Sequence, residues 1–131
     1  MRQEETPGSK IIIFGLAEAL ANDSKRVLAE QGHDVFSSPF LPAAQALTLI
    51  EQLQADFIFC DADPAHYIAL LEAIRRVNSG LPLVVVSPQP DTHAWLDALQ
   101  AGATDFCAPP FESASLRWIL ESARTSRCGT A

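Results

Sequence analysis

Five short strand-like runs, each followed by a stretch of helical periodicity, constrain this chain more than any other feature. The runs are Ile11–Phe14, Asp34–Ser37, Phe57–Cys60, "LVVVS" and "TDFCA". Near-regular alternation of strand and helix predicts a parallel sheet with helices on both faces. The first, third and fourth runs are continuously apolar, as strands buried on both sides must be. The second and fifth carry polar interruptions, which suits sheet edges. Right-handed crossovers then favour a doubly wound α/β sheet of order 2-1-3-4-5.

The helix signals are local. The first helix places Leu20, Ser24, Val27, Leu28 and Gln31 near one face and stops at Gly32. Pro42 opens a second, with Ala43, Ala46, Leu47, Ile50 and Leu53 inward. Asp63 as N-cap and Pro64 at the first position start a third, through Ile68, Leu71, Ile74 and Val77. Asp91 or Thr92 caps a fourth, whose core pair reads as Leu96 and Leu99. Ser113 caps the last, through Leu116, Ile119, Leu120 and Ala123. Residues 1–9 read as a disordered lead-in, 10–125 as one domain and 126–131 as a tail.

A chain of 131 residues can bury a core of its own. Its formal net charge of −7 argues against nucleic acid and against an anionic membrane surface, both of which need a basic face. The stretch "KIIIFGLAEALA" is too short to span a bilayer. Cys60 and Cys107 sit in apolar runs, where cysteine acts as a small hydrophobe, and no cysteine has zinc spacing. A reducing, cytoplasmic setting follows as the expectation. In such a sheet the functional crevice lies at the carboxyl ends of the first and third strands, and Asp61 ends the third.

The segments "ADFIFCDADP", "LPLVVVS" and "LQAGATDFCAPPF", with the final helix, resemble the response-regulator receiver domain. The resemblance covers about residues 10 to 125 and implies a flavodoxin-like (βα)5 fold. In that family an aspartate ending the third strand accepts a phosphoryl group from a histidine kinase. Two acids after the first strand help it hold Mg²⁺, a Ser/Thr ends the fourth strand, and a lysine follows the fifth. An aromatic on the fifth strand reports the state. Carried over residue by residue, Asp61 takes the acceptor position, Ser87 the hydroxyl position and Phe106 the aromatic one. The acid pair falls on Gly15 and Leu16, and the lysine on Pro109. The resemblance also implies a cis peptide before Pro110.

Phosphoryl transfer depends on positioning and on neutralising charge. With both acids and the lysine missing, Mg²⁺ should bind weakly or not at all, and no other cofactor is implied. The expectation is a degenerate receiver-like domain acting as a signalling and protein-interaction module of a two-component (phosphorelay) system, with no enzyme activity. A second reading is an atypical response regulator phosphorylated on Asp61 by a histidine kinase. A third, weaker one is small-molecule binding in the crevice, although "GLAEAL" lacks a phosphate-loop glycine pattern. Receiver domains commonly use the face built from the fourth helix, fifth strand and fifth helix for protein partners or homodimers. Trp95 and Trp118 are expected to mark that face, since exposed tryptophans anchor interfaces. His33, His66 and His93 read as solvated histidines, and Arg75 and Arg76 as a solvated helix face.

Overall fold

The computed structural model describes residues 8–77, 80–89, 92–109 and 111–129, with side chains to residue 122. The chain alternates strand and helix throughout: β1 (Lys10–Phe14), α1 (Glu18–Glu30), β2 (Asp34–Ser38), α2 (Ala43–Leu53), β3 (Phe57–Asp61), α3 (Pro64–Val77), β4 (Leu83–Val86), α4 (Thr92–Ala101), β5 (Asp105–Cys107) and α5 (Ser113–Gly129). The five strands are all parallel, in the order β2-β1-β3-β4-β5. That is the flavodoxin-like (βα)5 arrangement expected from the apolar runs.

Strand side chains alternate between faces, so each central strand feeds two cores. Ile12, Phe14, Ile58, Cys60 and Val85 pack with Ala46 and Ile50 of α2, with Tyr67, Leu70, Leu71 and Ile74 of α3, and with Ala98 of α4. Ile11, Ile13, Phe57, Phe59, Val84 and Val86 pack with Val27 and Leu28 of α1 and Leu116, Ile119 and Leu120 of α5. β1, β3 and β4 are buried apart from their end residues Lys10 and Asp61, whereas β2 and β5 are only partly covered, as edges should be.

Several helix details differ from the sequence expectation. On α3 the buried stripe is Tyr67, Leu70, Leu71 and Ile74, while Ile68 is exposed and Val77 is 67% exposed. Tyr67 and Leu70 bring more bulk to the sheet, so the helix turns that edge inward. On α4 Leu96 is 46% exposed and Ala98 is fully buried. A small residue lets the short helix approach the core closely, and Leu96 is left outside. Arg75 is not a solvated cation: its guanidinium donates to Leu81 O at 3.3 Å and to Gly102 O at 2.8 Å. It ties the end of α4 to the entry of β4.

The helix boundaries follow local chemistry. Asp63 caps α3 as expected, its Oδ1 accepting from Ala65 N–H at 3.0 Å. α1 gives way to Gly32 at φ +92°, a backbone region that favours glycine. Ser113 is the first residue of α5, not its cap. Its hydroxyl and carbonyl instead accept from the Gln31 amide at 2.9 and 2.8 Å, pinning the end of α1 to the start of α5. α5 continues to Gly129, past the boundary at 125 that the sequence suggests. Asp91 and Pro110, and with Pro110 the expected cis peptide, lie outside the described residues.

Candidate functional site

β3 delivers four fully buried or nearly fully buried residues and then Asp61, whose side chain is only 20% exposed. The next turn is short because Asp63 and Pro64 begin α3 at once. His66 therefore sits in the first turn of α3, five residues after Asp61. Its Nδ1 lies 2.8 Å from Asp61 Oδ2. An ionised carboxylate can only accept, so Nδ1 is the donor in that pair. On its other edge, Nε2 lies 3.9 Å from Asp63 Oδ2.

The imidazole ring is clamped from the side. Phe40, in the loop after β2, stacks on it with centroids 3.8 Å apart and planes 9° from parallel. The ring is thus fixed by one hydrogen bond and one flat apolar contact. His66 is a built part of the crevice rather than a solvated histidine, which corrects the sequence reading. Its spacing, i+5 from Asp61 and i+3 from Asp63 at a helix start, was the available signal. Phe40 gave none, because its role depends on where the loop after β2 folds over.

Gly15 forms the floor. It follows β1 at φ +76°, and its N–H donates to Ser38 O at 2.9 Å. A Cβ on Gly15 would stand 2.5 Å from Asp61 Oδ1 and 3.3 Å from Phe40 Cβ. Cys60 Sγ lies 3.5 Å from Asp61 Oδ1. Burial, reinforced by the Asp61 carboxylate, pushes the Cys60 thiol far above its ordinary range, so it remains a weak S–H donor.

This donor set does not make the Mg²⁺ cradle that a receiver site implies. Mg²⁺ takes oxygen ligands in near-octahedral array. The first acid position is Gly15, whose missing side chain is what gives Asp61 its space. The second, Leu16, packs against the α1–α5 core. Asp61 Oδ2 is already engaged by His66.

The remaining predicted residues are placed as follows. Ser87 is buried, and its hydroxyl closes its own turn, donating to Gln89 O at 2.8 Å and accepting from Gln89 N–H at 3.2 Å. Phe106 is partly buried against the α2–α3–α4 core. Trp95 and Trp118 are 41% and 63% exposed. Trp118 lines an open groove of about 490 Å³ along β5 and α5, with Phe106, Ala114 and Ile119; Trp95 does not. Among the described residues, no helix is long and apolar enough to cross a membrane.

Comparison with known proteins agrees with this architecture. No protein-family model matches the chain. It is 29% identical over 98 residues to the transcriptional regulatory protein ZraR of Salmonella typhimurium, covering 73% of this chain and 20% of that one. It is 26% identical over 113 residues to the DNA-binding response regulator MtrA of Mycolicibacterium smegmatis, covering 86% and 49%. The crystal structure of the receiver domain of NtrX from Brucella abortus superposes with a TM-score of 0.72 at 25% identity, over 86% of this chain and 96% of that one. The chain thus spans from a fifth to a half of the length of these sequence relatives. These relatives include a DNA-binding response regulator, the structural neighbours include a receiver domain, and the chain shares the five-stranded flavodoxin-like fold of the latter.

Proposed function

We propose that this chain is a receiver-type signalling module that works by protein docking and not by phosphoryl transfer at Asp61. One observation carries the reading: the acceptor-position carboxylate is taken up by His66 at 2.8 Å, with a glycine where a metal-binding acid would stand. Transfer to an aspartate needs its oxygens free and the incoming charge neutralised. Losing a single well-aimed charge-stabilising donor costs on the order of 100- to 1000-fold in rate. Here the acid pair and the lysine are all replaced.

Output then depends on fixed shape. The exposed Trp118 and the groove beside it support docking on the face of α4, β5 and α5, with a protein partner or a second copy as occupant. The net charge of −7 argues against nucleic acid as the partner. A cytoplasmic two-component setting, with a histidine kinase among the proteins it meets, is the context this reading assigns.

The test is incubation with acetyl phosphate, or with a beryllofluoride source, with and without Mg²⁺. Intact mass and tryptophan fluorescence are followed. No mass gain and no Mg²⁺-dependent fluorescence change are expected. A Mg²⁺-dependent phosphoryl adduct that disappears in Asp61→Asn would instead make the chain an atypical phospho-acceptor.

A further inference from the structure

We propose that His66 and Asp63 form a binding site for a borderline divalent transition metal of the Zn²⁺ class, with Asp61 acting as the carboxylate that orients the imidazole. Asp61, Asp63 and His66 are a group of three metal-capable side chains whose donor atoms lie within 4.8 Å of one another. Their order matters more than their number. Asp61 Oδ2 accepts a hydrogen bond from Nδ1–H at 2.8 Å, which leaves the lone pair on Nε2, facing outward. That lone pair lies 3.9 Å from Asp63 Oδ2. Two ligands of one tetrahedral metal, each about 2.0–2.2 Å from it, stand roughly 3.3–3.6 Å apart, so the exposed Asp63 side chain has to close by only a few tenths of an ångström.

Asp63 Oδ1 is occupied by the Ala65 N–H, so Oδ2 is the atom left for a ligand. A carboxylate behind a metal-binding imidazole fixes its tautomer and raises its basicity. The Phe40 stack, from a different part of the chain, removes the ring's remaining freedom. Both ligands reach solvent, Asp63 more than His66, so water can complete the shell. The set differs from an acidic Mg²⁺ cradle in chemistry as well as in position. Imidazole suits Zn²⁺, Co²⁺ and Ni²⁺, whereas Mg²⁺ keeps to oxygen. Metal capture at His66 and docking at α5 are independent, so the failure of one leaves the other standing.

The experiment is a titration of the ¹⁵N-labelled chain with ZnCl₂, read in long-range proton–nitrogen spectra of the histidine rings. The expected result is a change at His66 Nε2 well before His33 or His93 responds, and none with MgCl₂ at the same concentration. His66→Gln should abolish binding, and Asp61→Asn should weaken it about 10- to 100-fold. Asp63→Asn, at an exposed position, removes a ligand without disturbing the core and carries the test if His66→Gln does not fold. Responses that are equal at all three histidines, or unaltered in Asp63→Asn and Asp61→Asn, would overturn the assignment.

Discussion

Gly15 lies so close under Asp61 that a Cβ there would stand 2.5 Å from Oδ1. The missing acid after β1 is therefore not a vacancy that a point change refills. The backbone at φ +76° and the set of the Asp61 carboxylate both assume glycine.

Restoring the acid with Gly15→Asp should destabilise the fold by about 1–3 kcal/mol, the usual cost of a residue held in a disfavoured backbone region. Urea unfolding measures it. Phosphorylation by acetyl phosphate should not appear in this variant. A stable Gly15→Asp protein that takes up Mg²⁺ would refute the steric account.

Arg75→Ala removes two hydrogen bonds from a charged donor to Leu81 O and Gly102 O. A loss of about 1–3 kcal/mol is expected, at the level of hydrogen bonds made by charged groups. Arg75→Lys should recover only part of it, because an ammonium cannot span two carbonyls as a planar fork does. Thermal and urea denaturation of the pair check this.

Trp118→Ser should change stability by no more than about 0.5 kcal/mol, because the ring is 63% exposed. The same change should weaken partner binding or self-association by about 2 kcal/mol or more if Trp118 anchors the contact. Sedimentation velocity and unfolding on the same sample separate the two effects. Trp95→Ser, outside the groove, should have the smaller effect on association.

Burial, aided by the nearby Asp105 carboxylate, pushes the Cys107 thiol from its ordinary value of 9.0 up to about 12. The folded state thus holds this proton where the unfolded chain releases it. That stabilisation is fully present below about pH 9 and is lost as pH rises from there towards 12. Unfolding midpoints should fall over that window, and less so in Cys107→Ala. Alkylation of Cys107 by iodoacetamide at neutral pH should be slow in the folded protein and fast in urea.

The sheet was legible because burial on both faces leaves no choice of residue. Ile11–Phe14, Phe57–Cys60 and Leu83–Val86 had to be central strands, and the strand order followed. The faces of α3 and α4 were less legible. Periodicity selects a side of a helix only to within about one residue, and it could not tell that Ala98 rather than Leu96 would meet the core. Asp61 was found from its place at a strand end. His66 and Phe40 were missed for different reasons. The histidine reads as solvated when taken alone, and only its spacing to Asp61 and Asp63 points to the crevice. The phenylalanine's contact is made only when separate loops meet above the sheet. Trp118 was legible as outward-facing from the polar residues it lines up with, and Trp95 as partly exposed from its place beside the inward stripe of its helix; they are 63% and 41% exposed.

Ser87 spends its hydroxyl on Gln89, two residues further along the backbone, and not on the crevice. Any relay from Asp61 through this hydroxyl would first have to break that turn. On the docking reading proposed above, the partner face keeps one shape, and the amount of protein rather than its state sets the response.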